Sequence, residues 1–172
     1  MVVSQHVLNL FELIFLMNYK HEINYQRFPN YDGLSNMEQQ LVMNAQKAMH
    51  QAYAPYSNFK VGVALLLSNG TIVTGNNQEN MAYPSGLCAE RVALFHAGAN
   101  YPDAEVVSLV IMAEGELLKP SEIVSPCGGC RQVMLETQRR QKNPFRVVLI
   151  GQNEEVLVFH SAEDLLPLAF GS

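Results

Sequence analysis

The sequence contains few basic residues for its size. It has 11 Lys and Arg against 16 Asp and Glu in 172 residues, which gives a formal net charge of −5. A nucleic-acid polymer requires clustered basic side chains that displace counterions, so this composition argues against such a polymer as the main partner. Five of the basic residues lie between Arg131 and Arg146. We interpret them as a solvated helix face and the turn that follows it.

Cysteine is scarce as well. The chain has three cysteines, and all of them fall within two short motifs. An odd number in such an arrangement does not resemble a disulfide framework. Thiols kept free to bind a metal indicate a reducing compartment, and we therefore expect the protein in the cytoplasm.

A membrane-spanning run is also lacking. The apolar residues 7–17 have no Lys or Arg ahead of them, include Glu12 and are too few to cross a bilayer. We expect no targeting signal and no contact with membranes. Two interpretations of this stretch stay open, a packed N-terminal helix or a natural chain start at Met17.

What the sequence does contain is the pattern of one α/β domain. At 48% hydrophobic residues, the chain can bury a single core. Residues 18–34 show no period and predict an irregular arm, whereas Ser35 with Glu38 forms a capping-box pattern that begins a helix. Two further helices are predicted, from Cys88 to about Gly98 and from Cys130 to about Arg139. Strands are predicted at 59–67, 71–74, 106–112, 146–150 and 156–159. Helices that alternate with covered strands imply an α/β layer sandwich around one five-stranded sheet.

The three cysteines are arranged as a catalytic metal site would require. Cys88 is followed by Glu90, and Cys127 and Cys130 are separated by two glycines. Three thiolates bind Zn²⁺ tetrahedrally and leave the fourth position open for water. A helix N-terminus favours thiolate over thiol, and Glu90 is close enough in sequence to exchange protons with that water.

A closed structural zinc site is the main alternative, and it needs a fourth protein ligand. His96 is the nearest histidine in sequence, but it lies about two helical turns beyond Cys88, so we do not expect it to bind the metal. Three thiolates on Zn²⁺ leave a net negative charge. Arg91 and Arg131 are close enough in sequence to offset this charge, although both also suit an ordinary helix surface.

These motifs resemble the zinc cytidine deaminases of the small, three-cysteine, homotetrameric type. The likeness covers residues 36–171 in order, with matching spacing, whereas residues 1–17 fall outside it. It rests on Cys-Ala-Glu-Arg at 88–91, Pro-Cys-Gly-Gly-Cys at 126–130, Ala-Tyr-Ala-Pro-Tyr-Ser-Asn-Phe at 52–59, Gly-Asn-Asn-Gln-Glu-Asn at 75–80, Tyr-Pro at 83–84 and Leu-Leu-Pro at 165–167 with Phe170.

The resemblance implies a three-layer αβα sandwich around a five-stranded mixed sheet. Residues 1–35 would form an N-terminal extension and residues 36–172 the deaminase domain. The implied activity is hydrolytic deamination of cytidine and deoxycytidine in pyrimidine salvage, by a homotetramer that shares active sites and binds one Zn²⁺ per subunit. The implied roles are zinc ligation by Cys88, Cys127 and Cys130, proton transfer by Glu90, ribose binding by Asn77 and Glu79, base contacts by Phe59 and the Ala89 backbone, and completion of a neighbouring subunit's pocket by Phe170 and Tyr83.

The chain departs from the family pattern at two positions. Met81 replaces a small residue and Ser85 an apolar one, and both lie in the pocket loop, which leaves fine substrate preference open. Three other functions are compatible with parts of the sequence: a polynucleotide-editing deaminase, a deaminase of another aminopyrimidine or nucleoside antibiotic, and a non-catalytic zinc-stabilised interaction module. The acidic composition argues against the first of these, and the missing fourth ligand against the last.

Overall fold

Three α-helices, six strands and three short 3-10 helices make up the regular structure of the described residues. The structure is a computed structural model that describes residues 20–116, 119 and 121–171, so the predictions for residues 7–17 lie outside the described residues. The elements in chain order are β1 (Gln26–Phe28), α1 (Asn36–His50), β2 (Lys60–Leu67), β3 (Ile72–Asn76), α2 (Ala89–Asn100), β4 (Val106–Glu114), α3 (Gly128–Arg139), β5 (Arg146–Ile150) and β6 (Val156–Phe159). Within the described part of the chain, no helix is long and apolar enough to cross a membrane.

All six strands belong to one mixed sheet, in the order β1-β6-β5-β4-β2-β3. β4 and β5 run parallel and every other neighbouring pair is antiparallel. The α/β class and the mixed sheet are confirmed, but the sheet has one strand more than predicted. The extra strand is β1, which lies in the arm predicted to be irregular and pairs Gln26 with Val158 of β6.

The sheet carries a separate apolar core on each face, which makes the fold a three-layer αβα sandwich. Alternate residues of the central strands point to opposite sides, as the period of two requires. One face packs α2 and α3 against residues such as Val63, Ile111 and Leu149. The other packs α1 against residues such as Val110 and Val148. Nearly continuous apolar runs in β2, β4 and β5 are therefore explained by burial on both faces.

The N-terminus of α1 is fixed by a complete capping box. The Ser35 side chain accepts a hydrogen bond from the Glu38 backbone N–H, and the Glu38 carboxylate accepts one from the Ser35 backbone N–H. Glu38 is buried and also accepts a hydrogen bond at 2.8 Å from Nε of Arg146 in β5. The hydrogen bonds from Ser35 and Arg146 outweigh the effect of burial and lower the pKa of the Glu38 carboxyl. This network joins α1 to the centre of the sheet.

Two glycines set how closely the helices approach the sheet. A Cβ at Gly62 would collide with the backbone of Ala45 and Met49 in α1. A Cβ at Gly75 would lie 2.7 Å from the carbonyl oxygen of Ala89 and 2.7 Å from the amide nitrogen of Ala93. Gly75 thus lets the first turn of α2 contact β3 directly, and this first turn carries the predicted site.

Candidate metal centre and active site

The metal-binding motifs lie at the N-termini of two neighbouring helices. Cys88 is the N-cap residue of α2 and Cys127 is the N-cap residue of α3, and neither side chain makes a capping hydrogen bond. Cys130 lies in the first turn of α3, which begins two residues earlier than predicted. The thiols are therefore held at the positive ends of two helix dipoles and remain available for another partner.

The three sulfur atoms have the spacing that a zinc ion requires. All three thiols are free and lie within 4.8 Å of one another. The Sγ atoms of Cys88 and Cys127 are 4.0 Å apart, and those of Cys127 and Cys130 are 3.5 Å apart. Tetrahedral ligands at a Zn–S distance of about 2.3 Å would be about 3.8 Å apart. This cluster suits one zinc ion per subunit. His96 is not part of it, as predicted.

The surroundings of Cys88 favour the thiolate that metal binding needs. A hydrogen bond from Cys130 and the nearby guanidinium of Arg91 lower the pKa of the Cys88 thiol to about 5, although burial opposes the shift. Nη2 of Arg91 lies 3.7 Å from the Cys88 sulfur. Nε of the same guanidinium is buried without a hydrogen-bond partner in the described chain. The predicted offset of negative charge by Arg91 thus has a geometric basis.

Arg131 is used differently from the prediction. Its guanidinium donates hydrogen bonds to the carbonyl oxygen of Pro126 at 2.8 Å, to the carbonyl oxygen of Leu165 at 2.9 Å and to the Ser125 hydroxyl at 2.7 Å. These bonds join the loop before Cys127 to the C-terminal segment. Arg131 therefore holds the backbone around the thiols instead of pairing with a sulfur atom.

Glu90 is buried beside the cysteine cluster. It is the second residue of α2 and is only 5% exposed. Burial, followed by the negative charge of Cys88, raises the pKa of the Glu90 carboxyl. A carboxyl with a raised pKa next to a zinc-binding cluster has the properties of a proton donor and acceptor.

Asn77 and Glu79 lie on the connection between β3 and α2, and both bind the segment that carries Phe59. The Asn77 side chain donates to the Phe59 carbonyl oxygen at 2.8 Å and accepts from the Val61 N–H at 2.7 Å. The Glu79 carboxylate accepts hydrogen bonds from the backbone N–H groups of residues 56 and 57 and from the Ser57 hydroxyl. Each side chain keeps part of its hydrogen-bonding capacity for another partner.

The structure places Phe59 and Ala89 on the same face of the sheet as Cys88 but leaves Phe170 on the surface. Phe59 and Cys88 are partly buried and pack against the apolar cluster that contains the fully buried Ala89. Phe170 is 86% exposed, and its carbonyl oxygen accepts hydrogen bonds from side chains of α3. Tyr83 is 91% exposed. Among the residues that the structure describes, both aromatic rings are therefore largely uncovered.

Two residues that contact Phe59 were not predicted from the sequence to have a role in the site. Ser57 hydrogen-bonds both Glu79 and the Phe59 N–H, and its place two residues before the aromatic ring was the available signal. A Cβ on Gly115 would lie 2.9 Å from the Phe59 ring. No local sequence pattern predicts this contact, because Gly115 follows β4 and is far from Phe59 in sequence.

Comparison with known proteins agrees with this geometry. Residues 35–145 match the family model described as the cytidine and deoxycytidylate deaminase zinc-binding region. The chain is 40% identical over 134 residues to a cytidine deaminase of Halalkalibacterium halodurans, a match that covers 77% of this chain and 92% of the relative. A cytidine deaminase of Sporosarcina psychrophila is 41% identical over 133 residues, with 77% and 90% covered.

A solved structure gives the same result for the fold. The crystal structure of cytidine deaminase from Burkholderia pseudomallei matches with a TM-score of 0.66 and 43% identity, and the match covers 77% of this chain and 98% of that one. The sequence resemblance, the α/β fold and the zinc cluster thus all indicate one assignment. The chain belongs to the cytidine deaminase family, in its small form with a three-cysteine zinc site.

Proposed function

We propose that the protein catalyses hydrolytic deamination of cytidine and deoxycytidine, which yields uridine or deoxyuridine and ammonia. One observation carries the proposal: three free thiols lie within 4.8 Å of one another at two helix N-termini, with the buried carboxyl of Glu90 beside them. The relatives named cytidine deaminase support the same substrate class.

Cys88, Cys127 and Cys130 would hold the metal. A zinc ion bound there supplies the Lewis acidity that makes water nucleophilic near neutral pH. The chain itself contributes the thiolates, the positive helix ends that stabilise them and the Arg91 guanidinium that offsets their charge. Arg131 keeps the loop before Cys127 in position.

Glu90 would move the protons. It takes a proton from the attacking water and gives it to N3 of the pyrimidine as the oxygen adds to C4. It then takes the remaining proton from the hydroxyl added at C4 and passes it to the amino group, so that the C4–N4 bond breaks, the C4 carbonyl forms and ammonia leaves. Burial of Glu90 suits this role, because it raises the pKa of the carboxyl and so makes it a better proton acceptor than an exposed glutamate.

The remaining predicted residues would bind the nucleoside. Phe59 offers an aromatic face for the base, and the Ala89 backbone lies at the start of α2, where helix N–H groups lack intrahelical partners. Asn77 and Glu79 keep a free donor and free acceptors for the sugar hydroxyls after their contacts with the Phe59 segment are counted.

We further propose a homotetramer in which Phe170 and Tyr83 complete the pocket of a neighbouring subunit. Leu168 and Met81 are exposed as well, at 104% and 86%. These exposed apolar side chains are our candidates for the subunit interface, since contiguous exposed apolar surface is typical of protein interfaces. Residues 36–172 would form the deaminase domain, with residues 1–35 as its extension. The free thiols suggest the reducing cytoplasm as its location.

Ultraviolet absorbance of zinc-loaded protein with cytidine, deoxycytidine and cytosine tests the function directly. We expect turnover of both nucleosides and little or none of the free base, because Asn77 and Glu79 then have no sugar to bind. Glu90→Gln should keep the zinc and the fold and lose most turnover. Near wild-type turnover in that variant would refute the assignment. If the protein deaminated only single-stranded nucleic acid, or only other aminopyrimidines, the proposed substrate would be wrong and the compound turned over would take its place.

A further inference from the structure

The hydroxyl of Ser57 lies between two parts of the proposed pocket. It donates a hydrogen bond to Oε1 of Glu79 and accepts one at 3.0 Å from the backbone N–H of Phe59. One side chain thus contacts both the carboxylate assigned to the sugar and the backbone of the residue assigned to the base.

The backbone around Phe59 is held from both sides. Ser57 binds its N–H, whereas Asn77 binds its carbonyl oxygen at 2.8 Å and the N–H of Val61 at 2.7 Å. Asn58, between Ser57 and Phe59 in the sequence, adopts a left-handed conformation with φ of 53°. Its N–H donates a hydrogen bond to the Ala54 carbonyl oxygen. The backbone from which the Phe59 ring projects is therefore held by the side chains of Ser57 and Asn77.

The Glu79 carboxylate has little freedom left. Oε2 accepts from the backbone N–H groups of Tyr56 at 2.8 Å and Ser57 at 3.3 Å, and Oε1 accepts from the Ser57 hydroxyl. The Ser57 hydroxyl is also the main cause of the lowered pKa of the Glu79 carboxyl. Of about four lone-pair positions on this carboxylate, three are occupied, which leaves about one to accept from a ligand.

We propose that Ser57 is a positioning residue for nucleoside binding: its hydroxyl fixes Glu79 and Phe59 in one arrangement, so that the sugar and the base are recognised together. The inference rests on the proposed function, since it assigns to Ser57 the geometry of that pocket. Ser57 itself need not touch the nucleoside. Its effect is expected in binding and not in the chemical step, because neither residue that it holds is assigned to metal binding or to proton transfer.

Steady-state kinetics of Ser57→Ala on cytidine test the inference. We expect KM to rise roughly tenfold while kcat stays within about twofold, and calorimetry should show uridine binding weakened by a similar factor. Ser57→Thr keeps the hydroxyl at an exposed position and should restore the wild-type KM. With 2′,3′-dideoxycytidine, the penalty should shrink to about twofold, because that substrate lacks the 2′- and 3′-hydroxyls and keeps only the 5′-hydroxyl as a donor to the Glu79 carboxylate.

Two further variants separate positioning from a general structural role. Ser68→Ala removes another exposed serine hydroxyl that caps a backbone N–H, here that of Glu105, and should change neither constant. In a Glu79→Gln background, Ser57→Ala should add less than threefold to KM, because the two residues act as a unit.

The possible failures are distinct. No turnover of cytidine by wild-type protein would overturn the proposed function. Normal turnover by the wild type together with an unchanged KM in Ser57→Ala would overturn the role of Ser57 alone. Equal penalties on cytidine and the dideoxy substrate, or full additivity with Glu79→Gln, would also overturn it.

Discussion

Replacing Gly75 with alanine tests how strictly the position of helix α2 controls the active site. Gly75 lies in strand β3, where any residue can adopt the backbone conformation, so the change is purely steric. The new Cβ would lie 2.7 Å from the Ala89 carbonyl oxygen and 2.9 Å from the Ala93 Cβ. Ordinary contacts begin near 3.4 Å, so the first turn of α2 must move outward by about 0.7 Å.

That displacement moves Cys88 and Glu90 away from the other two ligands. We expect overpacking to reduce the free energy of unfolding by roughly 1–3 kcal/mol. We also expect kcat/KM to fall by roughly tenfold to a hundredfold, since a shift of about 1 Å in a catalytic group costs about a hundredfold. Urea unfolding, zinc content and cytidine turnover measure the three consequences separately.

Two other glycines provide matched controls for Gly75→Ala. Gly62→Ala overpacks the opposite face of the sheet against α1, so it should cost comparable stability and much less activity. A Cβ on Gly98, which lies in α2, would have no atom within 4 Å. Because alanine favours a helix more than glycine does, Gly98→Ala should stabilise the protein by about 0.5–1 kcal/mol. Wild-type kcat/KM and zinc content in Gly75→Ala would refute the reasoning that close packing on β3 positions the site.

Three other perturbations have defined outcomes. The lowered pKa of Glu38 means that its stabilisation is present above the unfolded-state pKa of about 4.3 and is lost as pH falls through the lower folded-state value. The gap in unfolding free energy between wild type and Glu38→Gln should therefore narrow below about pH 4, and a constant gap in urea titrations would contradict this. Chelation of zinc should lower the melting temperature by about 10 °C and abolish turnover, with recovery on zinc addition; an unchanged melting temperature would show that the ion does not join α2 to α3. Phe170→Ala should keep its stability and lose activity, and mixing it with Glu90→Gln subunits should restore some turnover, whereas no gain on mixing would argue against shared pockets.

The sequence was sufficient for those features that depend on local pattern. Apolar runs predicted β2, β4 and β5, and the spacing of Ser35 and Glu38 predicted the start of α1. The cysteine motifs predicted a three-thiol cluster, because a metal site restricts residue types as well as their spacing. Gly75 belonged to a motif, but the sequence did not indicate that its lack of a side chain sets the distance between β3 and α2.

Features that depend on distant pairing were not predictable in this way. β1 has three residues without an apolar alternation, and its strand conformation comes from pairing with β6. Arg131 could offset the negative charge of the thiolates or lie on an ordinary helix surface, as far as the sequence shows. In the fold its guanidinium donates instead to the carbonyl oxygens of Pro126 and Leu165. The family resemblance assigned Asn77 to the sugar, but its contacts with the Phe59 segment required the fold.

Helices α2 and α3 begin without a side-chain cap hydrogen bond, because the cap positions are occupied by metal-binding cysteines. Serine or aspartate at an N-cap typically contributes about 1 kcal/mol that an unbonded cysteine does not. At positions 88 and 127, the chain thus keeps a weaker helix start in order to present a sulfur ligand. Selection for heat resistance under zinc starvation would favour oxygen-bearing caps at both positions. Such a substitution would strengthen the helix start and remove a metal ligand at the same time, so helix capping and metal binding compete for the same two positions.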